Sequence, residues 1–459
     1  MSLLAASEIS NLLPARMQMA FTLGFHIILA CFGVGLPVLM LWAEGRYLKT
    51  GEDVYRVIAK RWSKAFAVLF AIGAVSGTVL SFELGLLWPG LMGKFGAVIG
   101  LPFTMEGFAF FLEAIFVGIY LYGWNRLSPR LHWWTGVPIA IAGFLSAAFV
   151  VCANAWMNCP QGFRLEGDKV VDIDPFAAMF NPASGAQAVH MILAAYMVTG
   201  FCVAAYYAAA LIFGKDKPSD SGTITCKVKT DYRRRAMALG IWLAILTTPP
   251  QMVVGDWAAK VVASSQPVKL AAMEGQYETE VGAPLRIGGI PDDDTKITRY
   301  SIDIPRMLSF LAYADFDAEV QGLNDFPRDD WPPTKVVHLA FQIMVGIGSF
   351  CMLLVAWALF VRIRTKQFPH SKWFLWALLV SGPLSVLALE AGWTVTEVGR
   401  QPWIVQGVMR TSEAITDAPG LWNVLYTTLA VYTVLGLATV FVLRLQARVP
   451  LAIVEDKKK

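Results

Sequence analysis

The stretch Phe103-Thr-Met-Glu-Gly-Phe-Ala-Phe-Phe-Leu-Glu-Ala-Ile-Phe-Val-Gly-Ile-Tyr-Leu-Tyr-Gly123 decides how the chain is read. As an α-helix rising 1.5 Å per residue it is about 30 Å long, the thickness of a bilayer's hydrocarbon core. It is apolar throughout, except that it carries two carboxylates, Glu106 and Glu113. A carboxylate at membrane depth costs about 3 kcal/mol even on lenient insertion scales, so such groups face a bundle interior, bind something or carry protons. Their spacing is two helical turns, which puts them on one face with Glu113 the deeper. Stacked in this way they read as a proton relay; the alternative is a pair of protonated glutamates bonded to neighbouring helices.

Working outward, the same kind of run recurs. With 56% hydrophobic and 16% charged residues among 459, and a mean hydropathy of +0.53, the chain is too apolar for a soluble enzyme. Apolar runs near 17–43, 65–88, 103–123, 135–156, 186–213, 236–254, 336–361, 373–393 and 420–443 predict an all-α integral membrane protein of nine spans. An odd number of spans puts the termini on opposite sides. All 38 Lys and Arg fall outside these runs, and the segments after spans one, three, five, seven and nine hold 6, 2, 7, 4 and 5 of them. By the positive-inside rule that side is cytoplasmic, the N-terminus lies outside and the C-terminus inside. The first run follows Glu8 and Arg16 without a basic leader or cleavage motif, and is expected to remain as a helix.

Three regions follow: helices one to six over 1–254, an outer loop over 255–335, and helices seven to nine with a cytoplasmic tail over 336–459. The loop is polar, contains Asp292-Asp293-Asp294 and has a helix-like patch from about Lys269 to Glu280. A loop of that length inside a compact protein is usually functional. No internal repeat, phosphate-binding glycine loop or nucleic-acid motif is present. The six cysteines, Cys31, Cys152, Cys159, Cys202, Cys226 and Cys351, form no C-x-x-C or C-x-x-C-H pattern, so any haem would be held non-covalently.

Besides the two glutamates, the spans hold His26, His190 and Glu390, and the topology places these, Glu106 and Met344 toward the outer side at a common level. His with Met suits a low-spin electron-transfer haem, whereas His or carboxylate with an open position suits an iron that binds oxygen. That inventory fits redox chemistry better than a proton-coupled transporter, whose site is expected at the midplane between repeated halves. Ser146, at mid-depth in span four, extends a path inward from the glutamates.

The segment Glu390-Ala-Gly-Trp followed by Gly399-Arg-Gln-Pro-Trp403 resembles the signature of subunit I of the cytochrome bd-type quinol oxidases. Met105-Glu-Gly-Phe-Ala-Phe-Phe-Leu-Glu113, Gly123-Trp-Asn-Arg-Leu127, Ala153-Asn-Ala-Trp-Met157 and Lys269-Leu-Ala-Ala-Met-Glu274 are similar to that family in the family's order. The resemblance implies three haems. His190 and Met344 would ligate a low-spin haem b. His26 and Glu390 would each ligate one haem of an active-site pair, a high-spin haem b and a haem d or a third haem b in its place, in an order left open. Glu106 would stand beside that pair, with Glu113, Ser146 and Asn154 serving protons and the haem pocket.

Lys269 and Glu274 match the family's quinol-loop pair, where a Glu can take the quinol proton and a Lys can keep it ionised or orient the ring oxygen. Arg400 would hold a haem propionate, and Trp393 and Trp403 would pack on porphyrin faces. Two features depart from the pattern. Gln342 stands where many relatives have Arg, which removes a cation expected beside the low-spin haem and should lower its potential. The outer loop also lacks a long insertion, like the branch described as cyanide-insensitive. The activity implied is oxidation of quinol at the outer loop and reduction of O2 to water, charging a bacterial cytoplasmic (inner) membrane with protons drawn from the cytoplasm. The partners implied, besides lipid, quinol and O2, are a second hydrophobic subunit (subunit II) and a small single-helix subunit, with no nucleic acid.

Overall fold

The computed structural model describes residues 3–214 and 226–449, with side chains for 11–214 and 230–449; the side chains of Glu8 and Cys226 lie outside that set. Four long helices come first: α1 (Leu3–Thr50), α2 (Asp53–Leu87), α3 (Pro89–Gly123) and α4 (Pro129–Asn158). A two-stranded ribbon, β1 (Arg164–Glu166) with β2 (Lys169–Val171), and the short α5 (Pro175–Met179) lead into α6 (Ser184–Phe213) and α7 (Cys226–Ser265). The outer loop then folds as α8 (Pro267–Glu274), β3 (Glu280–Val281), β4 (Leu285–Asp292), β5 (Ile297–Ile304), α9 (Met307–Tyr313) and β6 (Glu319–Val320). The chain ends with α10 (Thr334–Thr365), α11 (Lys372–Val398), the small ribbon β7 (Trp403–Val405) with β8 (Met409–Arg410), and α12 (Leu421–Arg448).

Among the described residues nine helices are long and apolar enough to cross a membrane, one for each predicted span. They are longer than the apolar runs. α3 begins at Pro89, so Glu106 sits in mid-helix and not just inside an end, and α7 continues to Ser265. The helix-like patch is shorter than expected. It stops at Glu274, where Gly275 takes the left-handed conformation (φ +61°) that a C-terminal cap requires.

Without a hydrophobic force between helices in lipid, close approach depends on small residues. α6 and α7 meet backbone to backbone: a Cβ on Gly200 would stand 2.9 Å from the Ala244 nitrogen, and one on Gly240 would stand 2.8 Å from the Gly200 carbonyl oxygen. On α11, a Cβ at Gly382 would come within 2.7 Å of Ala205 in α6. The long loop between α7 and α10 is bound to the bundle through α8. Ala271, Ala272 and Met273 form a core with Val337 and Ala340 of α10 and with Ala391 and Val395 of α11, and Met344 packs against it. The β4–β5 hairpin is held from α10: the ring nitrogens of the fully buried His338 lie 2.8 Å from Met273 O and 3.0 Å from Gly288 O.

Candidate functional site

Each of the four residues read as axial ligands lies half-buried on a long helix, and each is faced by a glycine of a neighbouring helix. A Cβ at Gly77 of α2 would stand 2.9 Å from His26 Cε1, and His26 Nδ1 is 2.9 Å from Ser76 Oγ of the same helix. A Cβ at Gly24 of α1 would stand 3.1 Å from Glu390 Oε2, whose other oxygen has no hydrogen-bond partner. Between α6 and α7 a Cβ at Gly255 would stand 3.4 Å from His190 Cε1, and between α10 and α11 one at Gly392 would stand 3.0 Å from Met344 Sδ. Gln251 of α7 brings its amide nitrogen 3.2 Å from His190 Nε2.

Glu113 is buried, with Oε1 unpartnered, and a Cβ at Gly143 of α4 would stand 3.3 Å from that oxygen. Glu106, two turns away on α3, is half-buried, and so is Ser146, one turn beyond Gly143. Trp393 packs against a buried cluster that includes Leu389 of α11 and Ala195 and Val198 of α6. Trp403 has one face covered by the Arg410 guanidinium, 4.7 Å from its ring centre.

At the C-terminal ends of α4 and α11 a polar chain forms that the spacing of residues did not predict. Asn154 donates to one oxygen of Glu397, and Arg400 NH2 donates to the other at 2.6 Å. Arg400 is 2% exposed, yet its Nε and NH1 have no partner. Two guanidinium nitrogens left without partners inside a protein are donors free to bond an anionic group such as a haem propionate.

Lys269 and Glu274, expected to act together, point apart. They are five residues apart on α8, about 140° around the helix. Lys269 Nζ turns to Asn158 Oδ1 at 2.6 Å, Gln266 Oε1 at 2.8 Å and Thr396 O at 3.4 Å. Glu274 is equally buried with Oε2 unpartnered, and burial pushes its carboxyl up to about 8 against the opposing pull of Arg286. The cation whose charge acts on Glu274 is Arg286, which itself pairs with Glu280 at 3.8 Å and donates to Gln276. Gln342 is no bystander either: its amide donates to Arg286 O and accepts from Gly288 N, both at 2.9 Å. A depression of about 430 Å³ lined by Asp292, Arg299, Tyr300 and Lys335 lies on the hairpin and holds none of these groups.

Several buried groups escaped the sequence reading. Glu83 lies inside a predicted span and accepts from Gln18 at 2.7 Å and Thr22 at 2.5 Å. The rule that singled out Glu106 and Glu113 applied to it equally. Glu44, His132 and Tyr120 close a buried triangle, with His132 Nδ1 2.6 Å from Glu44 Oε1 and the Tyr120 hydroxyl donating to Oε2 at 2.7 Å. Glu397 and Asn158 lie at helix ends, where polar residues are ordinary.

Nine apolar helices with ionisable side chains gathered among them define a multi-pass membrane protein. Residues 14–450 match the cytochrome bd terminal oxidase subunit I family, and the chain belongs to that family. It is 38% identical to a Bacillus subtilis (strain 168) protein provisionally named a cytochrome bd menaquinol oxidase subunit I, over 94% of this chain and 96% of that one. It is 28% identical to the cytochrome bd-II ubiquinol oxidase subunit 1 of Escherichia coli (strain K12), over 95% and 96%. The bd oxidase structure from Geobacillus thermodenitrificans superposes with a TM-score of 0.87 at 38% identity, covering 95% of this chain and 98% of the other. Membership of a cytochrome family implies haem.

Proposed function

We propose that this chain is the catalytic subunit of a quinol oxidase that reduces O2 to water, with its N-terminus and α8 on the outer side of a bacterial cytoplasmic membrane. The observation that carries the reading is the set of glycines at Gly24, Gly77, Gly255 and Gly392, one against each candidate ligand. At Gly24, Gly77 and Gly392 a Cβ would stand 3.1, 2.9 and 3.0 Å from Glu390, His26 and Met344, closer than ordinary contact, while Gly255 leaves ordinary contact with His190.

His190 and Met344 would hold a low-spin haem b, and His26 and Glu390 a high-spin haem b and a haem d or third haem b. Bound there, these groups supply one-electron transfer and oxygen chemistry. The unpaired nitrogens of Arg400 would donate to a propionate. Glu274, poised near neutrality, takes the quinol proton next to the Met344 side of the bundle, and that proton leaves outward. Protons consumed in making water come from the cytoplasm through Glu113 and then Glu106, with Ser146, one turn outward of the Gly143 that faces Glu113, beside the path, so the reaction charges the membrane without a separate pump. Subunit II and a small single-helix subunit complete the complex. The relatives' names include both menaquinol and ubiquinol, and quinol is the shared chemistry.

The test is the visible spectrum and pyridine haemochrome of the purified complex. Haem bands in the reduced protein, with a low-spin component lost in His190→Ala, are expected. An iron-free complex, or a low-spin band that survives loss of His190, overturns the reading.

A further inference from the structure

Glu106, Glu113 and Tyr120 follow one another at intervals of seven residues, so they form a single row down α3. The row continues into two other helices. The Tyr120 hydroxyl donates to Glu44 Oε2 of α1 at 2.7 Å, and Glu44 Oε1 lies 2.6 Å from His132 Nδ1 of α4. All three side chains are at most 2% exposed, yet they sit near the mouth of the bundle: Tyr120 is three residues from the end of α3, and His132 is in the first turn of α4. With the N-terminus outside, these are the cytoplasmic ends of the helices.

The bonds fix the protons of this cluster. His132 Nε2 faces Tyr120 O at 2.9 Å, and a carbonyl only accepts, so Nε2 carries a hydrogen. A single proton then lies in the short contact between Nδ1 and Glu44, on the ring or on the carboxyl. It can leave and be replaced with only N–H and O–H bonds made and broken.

The same three helices surround Glu113. A Cβ at Gly143 of α4 would stand 3.3 Å from Glu113 Oε1 and 3.4 Å from Gly33 O of α1. Pro37 has no N–H to return to that carbonyl, which therefore loses its usual helical partner. An unpartnered carboxyl oxygen and a freed carbonyl so close together make a polar landing place in an apolar stretch, about 10 Å along α3 from Tyr120.

We propose that Glu44, His132 and Tyr120 form the uptake station that delivers protons to Glu113, with Gly33 O as the polar contact on the way. The inference rests on the reading of Glu113 and Glu106 as the proton path. Each transfer sends one proton toward Glu113, and one from the aqueous side restores the station.

The test uses the full oxidase complex, with haem content fixed by pyridine haemochrome and Glu113→Gln as the reference. A haem-loaded Glu113→Gln complex that turns over normally removes the path itself and is distinguished at that step. Glu44→Gln keeps the shape of the side chain but cannot carry the proton, and Tyr120→Phe loses only the hydroxyl. In each, oxygen uptake should fall about fivefold while the quinol KM stays within about twofold and haem content is kept. The solvent deuterium isotope effect on turnover should rise, because proton delivery becomes limiting, and Glu44→Asp should restore most of the rate. A purely structural triangle would not move the isotope effect. Normal turnover with an unchanged isotope effect in either haem-loaded variant overturns the proposal, and so does a loss of turnover that only follows a loss of haem. Should Glu44→Gln fail to assemble, Tyr120→Phe decides by the same measures.

Discussion

Replacing Gly392 by Ala probes the assignment of Met344 as an iron ligand without altering Met344 itself. The added Cβ would stand 3.0 Å from the thioether sulfur. Non-bonded heavy atoms settle about 3.5–4.0 Å apart, so the overlap to be relieved is about 0.5–1 Å. The α11 backbone cannot easily take up the shift, since Ala391 and Val395 on either side of Gly392 are buried in the core shared with α8 and α10. The movement falls on the thioether, the most adaptable side chain in the contact. A ligand constellation tolerates roughly 0.5 Å. The sulfur is thus moved to the limit of ligation or beyond it, while overpacking costs the fold only about 1–3 kcal/mol.

Loss or lengthening of an axial thioether bond lowers the potential of a low-spin haem. Gly392→Ala should weaken the low-spin band of the reduced-minus-oxidised spectrum and lower that haem's midpoint potential by about 60 mV or more, equivalent to a tenfold change in the reduction equilibrium. Gly255→Ala is the internal control. Its Cβ would stand 3.4 Å from His190 Cε1, at the edge of ordinary contact, and the spectrum should change little. A folded Gly392→Ala complex with an unmoved band and potential refutes Met344 as a ligand. Equal damage from both substitutions refutes clearance as the determining factor.

Three further outcomes are expected. Glu113→Gln should slow turnover severalfold with haem content nearly normal, measured by oxygen uptake against haemochrome; loss of the active-site haems would instead make Glu113 a structural residue. Glu274 accepts a proton only when ionised and its carboxyl sits at about 8, so quinol oxidation limited at that step should rise about tenfold per pH unit up to about 8 and level off above it. A pH–rate profile that keeps this limb in Glu274→Gln would exclude the carboxyl as its origin. His132→Ala leaves Glu44 buried with only the Tyr120 hydroxyl, and removing one partner of a buried pair costs about 3–5 kcal/mol. Thermal unfolding of the detergent-solubilised complex should show a clear drop, and an unchanged midpoint would mean that the triangle adds no net stability.

Nine spans were legible because an apolar run of bilayer length has few other uses, and His26, Glu106, Glu113, His190 and Glu390 stood out because ionisable groups are rare at that depth. Helix ends were not legible. The rule counts apolar residues, whereas α3 runs back past Lys94 to Pro89 into an outer cap where Leu91, Phe95 and Trp156 bury one another. The four clearance glycines carry no mark in a single sequence, because glycine is common in membrane helices and its role appears only when the opposing side chain is known. Spacing misled at α8. Residues five apart in sequence suggested a lysine–glutamate pair, but the helix turns them toward different elements, and the cation near Glu274 comes from β4.

Gln342 shows how a departure read as a loss can be an exchange. Arg at this position would bring a charge, but a guanidinium only donates. An amide both donates and accepts, and Gln342 uses both functions on the β4 backbone, at Arg286 O and Gly288 N, while His338 one turn earlier on α10 meets Gly288 O and Met273 O. The result is a clamp between α10 and the hairpin that orients the strand carrying Arg286. That side chain in turn bonds Gln276 and acts on Glu274. A positive charge absent from α10 is therefore present in the loop, where it acts on the Glu274 carboxyl, and the same helix that secures the hairpin carries Met344 two residues further on. Placing the charge there favours an ionised Glu274, the form that the proposed acceptance of a quinol proton requires.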